Sequence, residues 1–405
     1  MPPLPHPEQR QRILFYLPMV TNWWFVHIVE PMLRRLAAER HELHVLAPAP
    51  WRGTGIGPEE LARCADLPDL RWYIMDGPDH PSTRTAPEDA EGLIGFVRDL
   101  APDVVLCRTA DHETVRHFPG TVRLLMEGRY EPFAPPPRWI LLAERPHDHG
   151  LLAEMTPAEA DRLRAGVAPA WERLQRSLAP TPDDRAILFA RLDIPEDRPL
   201  LLLPLECETE DNFFAMHRLG TKPNAALVRE ISALLGGRCT LAVTNHPLND
   251  AHVDAAPLIA AVTDCDSVVL LPPRIGMQPA TLAMARHADG MLVGDSKTFA
   301  LAAFFGVPMH RHSRFDSGAW LNSYDALEPF VADITASRAR RPDPEAARLW
   351  FAQYLLNDTF DPLAPEDDLL ARLARPFDPD RWEVALARLE RTLPALFAEE
   401  AQASG

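Results

Sequence analysis

The feature that most constrains this chain is an alternation. Short apolar runs and segments with apolar residues three and four apart follow one another in two successive blocks. A parallel strand buried on both faces reads as a continuous apolar run. The helix that carries the chain back to begin the next strand reads as an amphipathic segment. The first block opens with RILFYLPM (12–19), a polar turn at Thr21-Asn22, the helix-like WWFVHIVEPMLRRLAAER (23–40) and HELHVLAP (41–48). It continues with DLRWYIMD as a strand, EDAEGLIGFVRDLA as a helix and PDVVLCRT as a strand, and closes on GTVRLLMEG and RWILLAE. Strand, helix and strand within about 40 residues is the βαβ signature of a parallel sheet.

At TPAEADRLRAGVAPAWERLQRSL the pattern becomes purely helical, opened by a Thr-x-x-Glu capping box. The alternation then resumes with PLLLLPL (199–205), NAALVREISALLGG, CTLAVTNHP, APLIAAVTDC, SVVLLPP, QPATLAMARHA, DGMLVGDS, KTFALAAFFG and VPMHRH. The predicted fold class is therefore α/β, with two doubly wound Rossmann-like lobes, a cleft between them and a helical connector. The predicted partition is a first lobe over 1–155, the connector over 156–192, a second lobe over 193–335, and C-terminal helices over 336–405 able to pack back across the lobes. Ligands of such sheets bind beyond the carboxyl ends of the strands.

Composition narrows the functional classes. The net charge of −17 over 405 residues argues against nucleic acid as a partner, since phosphate contacts need a basic face. It leaves room for a small basic pocket. Cys64, Cys107, Cys207, Cys239 and Cys265 are scattered and odd in number, which fits reduced thiols. The opening MPPLPHPEQRQR is polar, and no run approaches the ~18 apolar residues of a membrane span. The expectation is a cytoplasmic protein with peripheral access to the inner membrane.

The candidate chemistry sits where strands end. In VGDSKTFALAAFFGVP, Ser296, Lys297 and Thr298 follow a strand and offer hydroxyls, an ammonium and helix-start N–H groups to a phosphate; the alternative is plain N-capping by Asp295 or Ser296. It is not a Walker A loop. In TNHPLND, His246 can meet a phosphate, with Asn245 beside it and Pro247 fixing the backbone, or the segment is simply a turn. LPLECETEDN packs Glu206, Glu208, Glu210 and Asp211 after a buried strand, either as a site for a base or nucleophile or as a solvated acidic loop. Glu127 ends an N-lobe strand, where it can act as acid or base, or close a turn. Thr21, Asn22 and Trp23 follow the first strand at its cleft end, where they can face a ligand, although an aromatic pair such as Trp23-Trp24 more commonly belongs to a core. The pairs His147/His149 and His310/His312 form no closed metal-ligand set. No G-x-S-x-G motif supports Ser/His/Asp catalysis.

In this order the segments resemble the capsule polysaccharide biosynthesis family, GT-B transferases of bacterial capsule assembly, several of which use CMP-Kdo to build a β-Kdo linker on a lipid. The resemblance runs from FYLPMVTNWWFVHIVEPMLRRLAAERHEL through RLLMEGRYEPFAPPPRWILLAE, PLECETEDNFF and TNHPLND to GDSKTFALAAFFGVP. It implies a nucleotide-sugar donor on the second lobe, held by His246, Pro247, Ser296 and Thr298. Glu210, or the adjacent Asp211, stands for the family's nucleophilic aspartate, and Glu127 for its general acid/base. Glu206 stands where the family has a glutamine, Thr244 and Asn245 where it has a lysine ahead of the His-Pro, and Lys297 supplies a nearby ammonium. The implied activity is sugar transfer from a nucleotide donor, CMP-Kdo in the family pattern, to a saccharide or glycolipid acceptor, with no cofactor or metal required. A nucleotide-sugar epimerase or hydrolase, or a non-catalytic nucleotide-sugar binder of a capsule assembly complex, are the alternatives.

Overall fold

In the computed structural model the described residues are 10–51, 53–67, 69–75, 87–181, 184–209 and 222–397. The chain forms two compact units: Met1–Arg129, Pro135–Pro146 and Tyr354–Arg388 make the first; Tyr130–Ala134, His147–Gln353 and Leu389–Gly405 make the second. Both are Rossmann-like α/β units, the class that the alternation predicts.

In the first unit, β1 (Arg12–Tyr16), β2 (Glu42–Pro48), β3 (Leu70–Met75), β4 (Val104–Cys107) and β5 (Thr121–Glu127) lie in the order β3-β2-β1-β4-β5, all parallel. Successive residues of β1 serve opposite faces. Ile13 and Phe15 join one core with Val45 and Leu106, while Leu14 and Tyr16 join another with Val105 and Cys107. That double burial is why β1 and β4 read as unbroken apolar runs. Thr21 caps the helix after β1, its Oγ1 accepting from Trp24 N–H at 3.3 Å. The predicted single helix is interrupted by a π-helical turn over Phe25–Val29 before it resumes at Glu30–Ala38. Pro31 has no N–H to donate inside this helix, and a π-turn is one way to absorb the missing bond.

Two features of this sheet depart from the expectation. β6 (Ile140–Ala143) runs antiparallel to β5, and a two-residue strand, Thr359–Phe360, runs antiparallel to β6. Residues 354–388 thus belong to the first unit, anchored by buried acids. Asp361 accepts from Trp139 Nε1 at 2.9 Å and from Arg138 at 3.0 Å, and Asp367 pairs with Arg372 at 2.5 Å and with Arg388. The helix predicted as a connector, Pro157–Leu178, belongs to the second unit, where it packs on Pro344–Gln353.

The second unit carries β7 (Leu200–Pro204), β8 (Thr240–Thr244), β9 (Val268–Leu270), a small hairpin of β10 (Arg274–Ile275) and β11 (Gln278–Pro279), then β12 (Gly290–Val293) and β13 (Met309–Arg311). Its main sheet has the order β13-β12-β7-β8-β9, all parallel, so the order reverses between β7 and β12. Among the described residues no helix is long and apolar enough to cross a membrane.

Candidate functional site

The carboxyl edge of the second sheet brings three predicted segments to neighbouring strand ends. The loop from Leu205 follows β7, TNHPLND follows β8, and Gly294–Thr298 follows β12, which pairs with β7 across the point of reversal. A crevice at such a reversal is the usual ligand position of this fold class.

Two buried asparagines hold the first two loops together. Asn249, 2% exposed, donates through Nδ2 to the Glu206 carbonyl (3.0 Å) and to Asn245 Oδ1 (3.0 Å), and its Oδ1 accepts from Glu208 N–H at 2.8 Å. Asn224, 1% exposed, donates to the same Glu206 carbonyl at 2.9 Å, while its backbone N–H donates to Glu208 Oε2 at 2.6 Å. Sequence reasoning missed both roles, because an asparagine at a helix start or in a turn signals only the local structure. Glu210 and Asp211, the two nucleophile candidates, lie outside the described residues.

His246 is the N-cap of the helix Pro247–His252, its Nδ1 accepting from Leu248 N–H at 3.2 Å, with Pro247 at the first helical position. Asn245 is committed to the same turn, accepting from His246 N–H at 3.0 Å and donating to Asp250 at 2.7 Å. The capping role and a ligand role are compatible, since an imidazole accepting through Nδ1 carries its proton on Nε2. The sequence did not reveal the pairing of this ring with Cys207. Burial pushes that thiol up, but hydrogen bonds from His246 and from Thr209 (Sγ–Oγ1 3.3 Å) outweigh it and hold the pKa below the ordinary value.

The third loop differs from its predicted form. The helix begins at Phe299, with Thr298 as its N-cap and no capping side chain, so Ser296, Lys297 and Thr298 form a turn ahead of it rather than its first residues. Ser296 Oγ accepts from Thr298 N–H at 3.3 Å and bonds Thr298 Oγ1 at 3.1 Å. Asp295 caps nothing. Its buried carboxylate pairs with Arg311 at 3.4 Å and bonds the Ser313 hydroxyl; burial raises its pKa, and those partners pull it partly back.

In the first unit the carboxyl edge carries the remaining candidates. Trp23 is 41% exposed, its ring 4.9 Å from that of His27, whereas Trp24 is buried. Asn22 donates to Glu60 at 2.9 Å. Glu127 ends β5 with its side chain half exposed and 3.7 Å from Arg108. Arg108 is itself a residue that sequence reasoning missed. Its guanidinium lies 3.7 Å above the Trp24 ring and donates to the Leu125 carbonyl at 3.1 Å; burial lowers its pKa to about 10, with Glu127 opposing the shift. It stays charged at neutral pH. Gly128 is required after Glu127, because a Cβ there would sit 2.7 Å from the Trp139 carbonyl. Among the described residues no group of three or more His, Cys, Asp or Glu side chains could hold a metal ion.

No protein-family model matches the chain, and no curated protein is similar to it in sequence. Solved structures resemble it distantly. The beta Kdo 2,7 transferase of KpsC from Thermosulfurimonas dismutans is 11% identical, with a TM-score of 0.44 over 79% of this chain and 92% of that one. The beta Kdo 2,4 transferase of the same KpsC is 12% identical, with a TM-score of 0.40 over 76% and 90%. The UDP-GlcNAc 2-epimerase from Methanocaldococcus jannaschii is 13% identical, with a TM-score of 0.28 over 95% and 100%. At such identities a shared fold says nothing about substrate.

Proposed function

We propose that this chain is a glycosyltransferase that moves a sugar from a nucleotide donor to a saccharide or glycolipid acceptor, with the donor on the second unit and the acceptor on the first. The observation that carries the proposal is that three loops follow three adjacent strands, β12, β7 and β8, at the reversal point of the second sheet. Amides, hydroxyls, an imidazole and an ammonium lie on those loops, and Asn224 and Asn249 pin the two that follow β7 and β8. Such a set suits a phosphate and a nucleoside. Leaving-group charge developing on a phosphate is stabilised by fixed donors of this kind.

In the finer reading, drawn from the sequence resemblance, the donor is CMP-Kdo and the acceptor belongs to bacterial surface polysaccharide. Glu127 handles the acceptor proton, and Arg108 holds its carboxylate in place. Glu210 or Asp211 serves as nucleophile. The test is acceptor-dependent release of nucleotide from a panel of CMP-, UDP- and GDP-sugars. Transfer by the wild type and a loss of about a hundredfold or more in Glu127→Gln, with an unchanged melting temperature, is the expected result. Turnover of donor alone would identify an epimerase or hydrolase, and binding of a nucleotide sugar without turnover would identify a binding protein.

A further inference from the structure

We propose that His149 and Arg311 form the floor of an oxyanion site in the second unit that receives the phosphate of the donor. His149 is 2% exposed, and its ring is stacked on Phe299 at 4.2 Å between centroids and 16° between planes. Its backbone is fully engaged, with N–H donating to the Asp316 carbonyl at 3.1 Å and C=O accepting from Gly318 at 2.9 Å. Its side chain is not: both ring nitrogens are buried without a hydrogen-bond partner. Burial holds the ring far below its ordinary pKa, helped by Arg311, His147 and Lys297, so it is a neutral imidazole with one donor and one acceptor.

Arg311 also carries an unanswered donor. Its two terminal nitrogens reach the carbonyls of His147 (2.6 Å) and Asp316 (3.1 Å), the Ser317 hydroxyl and Asp295, yet its buried Nε has no partner. Orphaned buried donors are costly, and packing alone does not call for them. A phenylalanine would stack on Phe299 as well as His149 does, without two unsatisfied nitrogens. A compact oxyanion answers both donors, beside the Asp295 carboxylate that pairs with Arg311 at 3.4 Å and bonds the Ser313 hydroxyl. A water molecule would answer the same hydrogen bonds, and the pyrophosphate titration below separates the two. The site adjoins the Asp295–Thr298 turn, so it deepens the proposed donor site and rests on that proposal for the phosphate's carrier alone.

The test compares the full wild-type chain with His149→Phe by thermal shift and calorimetry, using inorganic pyrophosphate, CMP and UDP as probes. The expected result is that His149→Phe melts higher than wild type without ligand and binds pyrophosphate at least about tenfold more weakly, the loss of one hydrogen bond to a charged group. An unchanged pyrophosphate affinity in the variant, or no binding by wild type, would overturn the inference. If His149→Phe does not fold, the wild type with 15N-labelled histidine gives the answer. The His149 ring resonances, assigned with His149→Gln, shift on adding pyrophosphate, and static resonances would refute the site. Binding of pyrophosphate through His149 without binding of any nucleotide would keep the site and remove the donor reading.

Discussion

The two units share the order of their five parallel strands and differ in what they place along the carboxyl edge. In the first, β1, β4 and β5 end in aromatic and ion-paired groups: an exposed Trp23 beside His27, and Arg108 clamped between Trp24 and Glu127. In the second, the loops after β7 and β8 carry amides braced by buried asparagines, and the turn after β12 carries hydroxyls, with orphaned donors of His149 and Arg311 nearby. An aromatic face with a carboxylate suits a sugar, while fixed donors with buried positive charge suit a phosphate. On the proposed function one scaffold supports two chemistries, because the strands set position and the loops set identity.

The comparison breaks most readily at its frame. Asn249→Ala strips a partner from Glu208 N–H and from Asn245, and is expected to cost about 2 kcal/mol of stability. Chemical denaturation should show that loss, and nucleotide binding should go with it. If binding survives intact, the 206–208 and 245–250 loops are not the donor wall. A smaller effect is expected from Trp23→Ala, which removes an exposed ring without touching the core. Acceptor KM should rise about three- to tenfold, the worth of one aromatic stacking contact, with nucleotide affinity unchanged. A change in nucleotide affinity instead would reverse the assignment of the two edges.

Acid sharpens the comparison more gently. Burial, with Arg286 and Arg185 nearby, lowers the His287 pKa in the second unit from 6.5 to about 4. Between those values the unfolded chain binds a proton that the folded chain refuses. Stability therefore rises with pH across that window and is fully present above it. His41 and His44 in the first unit shift the same way, also through burial. The melting temperature should fall from pH 7 to pH 5, and His287→Gln should make the fall shallower. A pH-independent melting temperature would contradict the burial of these rings.

Much of this was legible in the sequence because it is local. The apolar runs of β1, β4, β7 and β12 and the Thr156 capping box carry their signals within a few residues. What was missed depends on distant partners. Thr359–Phe360 is too short to show a period and is a strand only because β6 lies beside it. Asn224 and Asn249 matter because both converge on one carbonyl of a loop 18 and 43 residues away. The Ser296–Thr298 turn misled for a related reason. Asp, Ser and Thr advertise a helix cap, but here Asp295 is drawn away by Arg311 and Ser313 from another strand end.

The central claim, that the nucleotide belongs to the second unit and the acceptor to the first, is tested most directly by calorimetric titration of CMP, UDP and GDP into wild type, Ser296→Ala, Trp23→Ala and Glu127→Gln. One nucleotide should bind the wild type, about as well to the two first-unit variants, and about fivefold or more weakly to Ser296→Ala, as expected for one lost hydrogen bond. Affinity that falls in Trp23→Ala or Glu127→Gln and holds in Ser296→Ala would contradict it, as would a wild type that binds none of the three.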